Sequence, residues 1–487
     1  MKFINKNKHS YLRYWFVGIM LLFLVTGALF FSSSAISEEG AQVGRLAPIN
    51  KEFLRYLEDK KLGIIWSNYS DDGHPLGHLP SPIDISYPQD ISAEKIEYLP
   101  SSYDLRNKGK LTKIRDQGDC GSCWAFATYG SLESYFLPGE TCDFSEQHLI
   151  DNHGFDPGPC EGGNNDMSTA YLARWDGPRK ESDFPYEYTY EGAKNVQKHV
   201  QNVIFIPTRK SSTDNNKIKN AVMDYGALYV SMYYSGSCYN LSNNSYYNPN
   251  IASGGHAVAV VGWNDNFSKN KFNTTPPGNG AFIVRNSWGK SYGENGYFYV
   301  SYYDKYFARR GFSAVFQADA TTNYKTVYDY DPLGWTISLG FTSGKKDTSW
   351  FANIFKAKKK ASLRAVSFYA GGTTNNYEIY VYTNVKSNKP RSGKLAVKIK
   401  GKKTLPGYYT IPLKKKVSLK KGKKFSVVVK LKTKKWNYPI PLEYKISGYS
   451  SKVKAKAGES FYSQKGSTWK DAGTIYKANV CIKAFVK

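Results

Sequence analysis

Cys120 and Cys123 are separated by two residues within Asp116-Gln-Gly-Asp-Cys-Gly-Ser-Cys-Trp-Ala-Phe-Ala127. That spacing serves three chemistries: a redox dithiol, half of a zinc site, or a nucleophilic thiol beside a structural cysteine. Cys142, Cys160, Cys238 and Cys481 are scattered singly, so no second pair completes four zinc ligands, and neither a metal nor another cofactor is expected. No strand-helix pattern of the thioredoxin kind surrounds the motif. A nucleophilic cysteine needs a depressed pKa, for which a helix N-terminus and a nearby imidazolium are the two sources. Cys123 opens a run in which Phe126, Tyr129, Leu132 and Phe136 fall near helical spacing, and Pro138-Gly139 ends it. The sulfur would then lie where unpaired N–H groups favour an anion.

A base must come from elsewhere in the chain. Of seven histidines, His9 lies in an apolar leader and His74 and His78 in a turn-rich N-terminal segment. That leaves His148, which follows a helix cap, His153, His199 in a polar stretch, and His256. His256 stands at the mouth of a buried strand, in Ser253-Gly-Gly-His-Ala-Val-Ala-Val-Val-Gly-Trp263.

The elements that would position these groups divide the 487 residues into four parts. Residues 1–35 read as a signal peptide: Lys2, Lys6, Lys8 and Arg13 precede the apolar run 15–31, and Ser33-Ser-Ala35 supplies small residues for cleavage. Export makes the space around the protein disulfide-permissive. Residues 36–98, rich in proline turns and poor in periodic apolar positions, read as a prosegment. Residues 99–322 carry helices early and strands late, an α+β pattern. From 323 to 487, short β-rich runs recur between turns, as expected of an antiparallel sandwich or jelly roll. Runs such as Val429-Lys-Leu-Lys432 and Val453-Lys-Ala-Lys-Ala457 alternate lysine with apolar residues, which puts ammonium groups on one strand face.

Charge separates the last part from the rest. From Lys325 onward there are 36 Lys and Arg against 7 Asp and Glu, more than the whole excess of +27. No aromatic-flanked RNA motif or groove-reading helix accompanies the lysines, so nucleic acid is not an expected partner. Acidic cell-wall polymers or glycans of a cell envelope are, with an attraction that weakens in salt.

With these blocks in view, the sequence resembles the papain-like cysteine proteases. The stretch Asp116 to Ala127 is similar to the family's active-site block, and Leu99-Pro-Ser-Ser-Tyr-Asp-Leu-Arg106 to the start of a mature enzyme. Phe144-Ser-Glu-Gln147, Pro159-Cys-Glu-Gly-Gly163, Gly255-His-Ala-Val258, and Arg285-Asn-Ser-Trp-Gly289 with Tyr292 to Tyr297 complete the set. The resemblance implies a two-lobed fold, a helical left lobe against a β-barrel-like right lobe. It implies Cys123 as nucleophile, His256 as general base, Asn286 as the group orienting the imidazole, Gln117 as oxyanion donor, and Trp288 as a shield. It pairs Cys120 with Cys160 in a disulfide, and gives Gly162 and Gly163 as the backbone edge for an extended peptide. Asn164, Asn165, Ser231 and Ala257 are expected near the subsite for the residue two before the cut.

The 30 residues from His256 to Asn286 exceed the family's usual hairpin, so 264–280 is expected as an exposed loop. A Cys142–Cys238 bridge is open to the sequence, and Cys481 is expected as a buried strand residue. Gly371 to Tyr377 and the ending Asn479 to Phe485 resemble the lectin-like module of prokaryotic surface cysteine proteases. Two function classes result: a secreted, monomeric cysteine endopeptidase acting on proteins or peptides at or near the cell surface, made as a zymogen, and an adhesin on an inert protease fold. The filled catalytic positions favour the first.

Overall fold

The computed structural model of the chain describes residues 44–63, 69–84, 98–186, 195–250 and 254–487. The expected signal segment 1–35 lies outside these, as do 36–43, 64–68 and 85–97 of the expected prosegment. Among the described residues no helix is long and apolar enough to cross a membrane.

The helix Cys123–Phe136 is buried on every side from Cys123 to Ser134. A helix apolar all round can be stable only as the centre of a packed body, and this one is enclosed by shorter helices and a sheet. Helix Glu146–Asn152 is capped by Ser145, whose Oγ accepts the His148 N–H at 2.9 Å. Helix Asn165–Ala173 is capped by Asn164, whose Oδ1 accepts the Met167 N–H at 3.0 Å. Each cap satisfies an N–H that the helix itself leaves orphaned.

On the other side, strand Gly254–Asn264 runs through the core between Leu228–Tyr234 and Ala281–Arg285. The register places Met232 opposite His256 and Ala259 opposite Arg285. Gly130 of the central helix faces Ala259 so closely that a Cβ there would lie 3.7 Å from the alanine's. Helix and strand therefore meet with no bulky side chain between them.

The C-terminal part is all β apart from the short helix Ala472–Ile475. A six-stranded sheet in the order Lys394–Lys403, Asn375–Thr383, Lys424–Thr433, Thr348–Lys356, Ser460–Ser463, Lys470–Asp471 forms one layer. The facing layer is not confined to this part. Strand Gly407–Leu419 pairs with Lys198–Ile206, Gly407 opposite Ile204 and Tyr409 opposite Asn202, so one sheet runs on from the α+β part into the β part.

Two local expectations change. Val453 to Ala457 form no strand; the segment is irregular, and the Lys454 carbonyl is satisfied by the Asn479 amide at 3.0 Å instead of a ladder. The 264–280 insertion is not wholly exposed, because Phe267 and Phe272 are buried with Tyr247. The N-terminal segment, expected to lack a core of its own, borrows one. Strand Gly44–Leu46 pairs with Ile337–Phe341 of the β part, and helix Lys51–Lys61 buries Phe53 and Tyr56 against the rest of the molecule.

Candidate active site

The sulfur of Cys123 lies at the first position of the central helix, fully buried, and accepts the Ala257 N–H at 3.3 Å. His256, one residue before that donor, is also fully buried. Its Nε2 is 2.8 Å from Asn286 Oδ1, which accepts the Ser287 N–H at 2.9 Å as well. An amide oxygen can only accept, so the imidazole proton sits on Nε2 and the lone pair on Nδ1. Among the described residues Nδ1 has no hydrogen-bond partner. The Trp288 indole stacks on the imidazole at 4.5 Å and 22°, covering the ring and its bond to Asn286. Gln117 is held by its Oε1, which accepts the Ser287 hydroxyl at 2.6 Å. Its Nε2 donates to the Cys120 carbonyl at 2.8 Å and points on towards the cleft.

Burial dominates the electrostatics. It pushes the Cys123 thiol up to about 12 against the opposing N–H groups of Ala257 and Trp124. It holds His256 down at about 4, although the Asn286 bond works the other way. Both shifts favour the neutral forms over a thiolate-imidazolium pair.

The segment Tyr69–Ile83 lies across this site. His74 stacks on Trp288 at 4.4 Å, and the Trp288 Nε1–H donates to the Pro75 carbonyl at 3.0 Å. The N–H groups of Gly77 and His78 donate to the Gly255 carbonyl at 3.1 and 2.9 Å. Leu79 N–H donates to Gly163 O at 2.8 Å and Gly163 N–H to Gly77 O at 2.9 Å, so His78 bridges Gly163 in a parallel sense. Gly162 has φ +94°, a region glycine enters freely, and a Cβ there would press on the Gly77 carbonyl at 2.7 Å.

Of the other expected residues, Ala257 lies beside the sulfur. Asn164 is turned towards its helix, with its Nδ2 donating to Pro80 O at 3.2 Å. Asn165 is buried, and Ser231 donates to the Arg310 carbonyl at 2.7 Å. Cys120 and Cys160 form the disulfide that closes the loop beneath Gln117, while Cys142, Cys238 and Cys481 are free and buried. Among the described residues no cluster of three metal-ligating side chains occurs. Sequence reasoning missed Tyr229, whose hydroxyl is 3.0 Å from His78 Nδ1, and Asp166, which accepts the Ser81 hydroxyl. It also missed Tyr449, whose hydroxyl donates to Asn164 Oδ1 at 3.2 Å. No motif spacing signals them; Tyr449 reaches the cleft from the far domain.

Known proteins resemble both parts of the chain. A model of the papain family cysteine protease matches residues 99–311, and one of the lectin-like domain matches 327–486. Digestive cysteine proteinase 2 of Homarus americanus is 30% identical over 234 residues, covering 46% of this chain and 68% of the lobster protein. Probable cysteine protease RD19B of Arabidopsis thaliana is 34% identical over 223 residues, 42% of this chain and 58% of that one. The chain spans little more than half the length of this and other plant relatives. The crystal structure of the cysteine protease and lectin-like domains of Cwp84, a surface layer associated protein of Clostridium difficile, superposes with a TM-score of 0.76 at 26% identity. It covers 92% of this chain and all of that one. A structure of Cwp84 after propeptide cleavage gives 0.68 at 26% identity, over 80% of this chain and all of that one. The chain belongs to the papain family of cysteine proteases and carries a lectin-like domain behind the protease fold.

Proposed function

We propose that this chain is a secreted cysteine endopeptidase that hydrolyses peptide bonds in proteins at or near the cell surface, is made as a zymogen, and is held at the envelope by its basic lectin-like domain. The observation that carries the reading is the convergence of Cys123, His256, Asn286 and Gln117 on one cleft, with a peptide segment already lying in it.

With the cleft open, Nδ1 of His256 takes the Cys123 proton and the sulfur attacks the scissile carbonyl carbon. The oxyanion is met by the Gln117 side-chain amide and the Cys123 backbone N–H. The imidazolium returns its proton to the leaving amine, and water, activated by the same ring, hydrolyses the thioester. Asn286 keeps the ring in the required tautomer throughout, and Gly162 and Gly163 supply the edge for an extended substrate.

The prosegment role rests on occupancy: a chain whose Pro75 carbonyl meets the Gln117 amide and whose backbone pairs with Gly163 leaves no room for a substrate. Secretion is supported by the charged and apolar leader, and envelope retention by the excess of basic residues in the lectin-like domain together with the likeness to a surface layer associated protein. The test is titration of the processed protein with an epoxide thiol trap. One equivalent bound, lost in Cys123→Ala, is expected; an unlabelled parent protein would leave an adhesin on an inert fold.

A further inference from the structure

The lectin-like domain touches the protease cleft at one well-built joint. The Asp156 carboxylate, on the loop before Gly162, accepts the Ser451 N–H at 3.0 Å and the Ser451 hydroxyl at 2.6 Å. The Asp156 N–H donates to the Tyr449 carbonyl at 2.8 Å, and Lys452 Nζ to the Phe155 carbonyl at 3.2 Å. These bonds fix the Tyr449 ring against Phe155, at 4.9 Å between ring centres and 53°, and aim its hydroxyl at Asn164, the residue following the Gly162-Gly163 edge.

What covers the ring belongs to the prosegment. Phe53 meets Tyr449 edge to face at 4.9 Å and 82°, and its own ring is fully buried there. Leu57 reaches the neighbouring Gly448, where a Cβ would lie 3.4 Å from its Cδ2. At the helix end, Lys60 pairs with Glu161 at 3.2 Å. The extended stretch leads to the same place, since Pro80 lies on Asn164, and Asn50 N–H donates to Pro82 O at 3.1 Å. Removing the prosegment therefore uncovers an aromatic surface continuous with the peptide-binding edge, on the side away from Trp288 and His74.

We propose that Tyr449 is a specificity-determining residue of the protease: the lectin-like domain lends its ring, beside Phe155, as the wall of a subsite that takes an aromatic side chain of the substrate, upstream of the residue paired with Gly163. The occupant is argued from Phe53, an aromatic ring already seated there, and from the continuity of the surface with the Gly163 edge. Edge-to-face aromatic pairs contribute about 0.5–1.5 kcal/mol beyond burial, so a preference of several-fold is expected. This rests on the endopeptidase reading.

The test uses the processed full chain and paired peptide substrates carrying Phe or Ala at the third and at the fourth residue before the cut. The expected result is a ratio of kcat/KM, Phe over Ala, of several-fold at one of those positions, carried mainly by KM. Tyr449→Phe keeps that ratio; Tyr449→Ala and the bulkier Tyr449→Leu bring it close to one. A ratio near one in the parent enzyme, or a preference that survives both of the latter variants, overturns the proposal while the thiol titre of Cys123 stands. Absence of that titre in the parent protein overturns the endopeptidase reading itself and the proposal with it.

Discussion

The side-chain amide of Gln117 donates to the backbone carbonyl of Pro75 at 3.4 Å. The group proposed to stabilise a developing oxyanion is thus occupied by a carbonyl of the protein's own N-terminal segment, which also holds the Trp288 indole N–H. Because His78 crosses Gly163 in the parallel sense, the flanking carbonyls fill the binding positions without one of them being presented to Cys123 as a substrate would present it. Protein beginning near Ile36 should be at least a hundredfold less active on a small peptide substrate than protein beginning near Leu99. Equal rates for the two forms would remove the zymogen from the account.

Gln117 is buried and its Oε1 accepts the Ser287 hydroxyl, so its loss leaves that hydroxyl without its acceptor as well as removing one donor from the oxyanion. Loss of such a donor costs about 3 kcal/mol in the transition state. Gln117→Ala in the processed enzyme should lower kcat by two to three orders of magnitude with KM nearly unchanged. A fall confined to KM would mean that Gln117 binds ground-state peptide and nothing more.

Docking of the prosegment should depend on pH through three groups. Burial, aided by charge on His256 and Arg310, takes His78 down to about 3, and burial takes His256 to about 4. Both lie below the ordinary value near 6.5, so each stabilises the closed form above 6.5 and withdraws that support as pH falls. Asp166 is opposite: burial raises it to about 6 against the Ser81 bond, so its support is full at low pH and is lost as pH rises through 6. Between pH 6 and 4 all three slopes act, two against one. Affinity of the released prosegment for processed Cys123→Ala protein should fall about tenfold per unit on acidification. Asp166→Asn should steepen this to roughly a hundredfold, and His78→Gln should flatten it. Calorimetric titration at four pH values separates the three slopes.

The residues proposed for catalysis could be picked out in the sequence because each sits in a local pattern: a helix start after Cys120-Gly-Ser, a glycine pair before a buried strand, an Asn-Ser-Trp after another. The closing of the Cys120–Cys160 bridge follows the same blocks. Long-range pairings were not legible. Strand Lys198–Ile206 begins among polar residues and finds its partner in Gly407–Leu419, more than 200 positions away, with nothing local to indicate the pairing. Helix Lys51–Lys61 has too few apolar residues for a core of its own and is stable because Tyr449 supplies a surface for Phe53. Val453 to Ala457 shows the converse, since strand-like alternation without an available edge yields irregular chain.

The excess of positive charge should act through one face. In the six-stranded sheet, Lys402 and Lys432 lie opposite Asn376, and Lys400 and Lys430 opposite Glu378, with Lys398 opposite Tyr380 in the next row. Side chains alternate across a strand, so all five point the same way, away from the buried Ile379, Val381 and Val429. Glu378 holds Lys398 and Lys430 at 2.9 and 2.8 Å. Lys400, Lys402 and Lys432 are exposed and, among the described residues, have no carboxylate partner. Lysines near an anionic surface contribute about 1 kcal/mol each. The triple change of Lys400, Lys402 and Lys432 to Gln should therefore lower retention on purified envelopes at least tenfold at low ionic strength. At about 1 M salt, where the screening length is near 3 Å, parent and variant should release alike. Retention of the parent protein that ignores salt would point to neutral sugar recognition and away from this face.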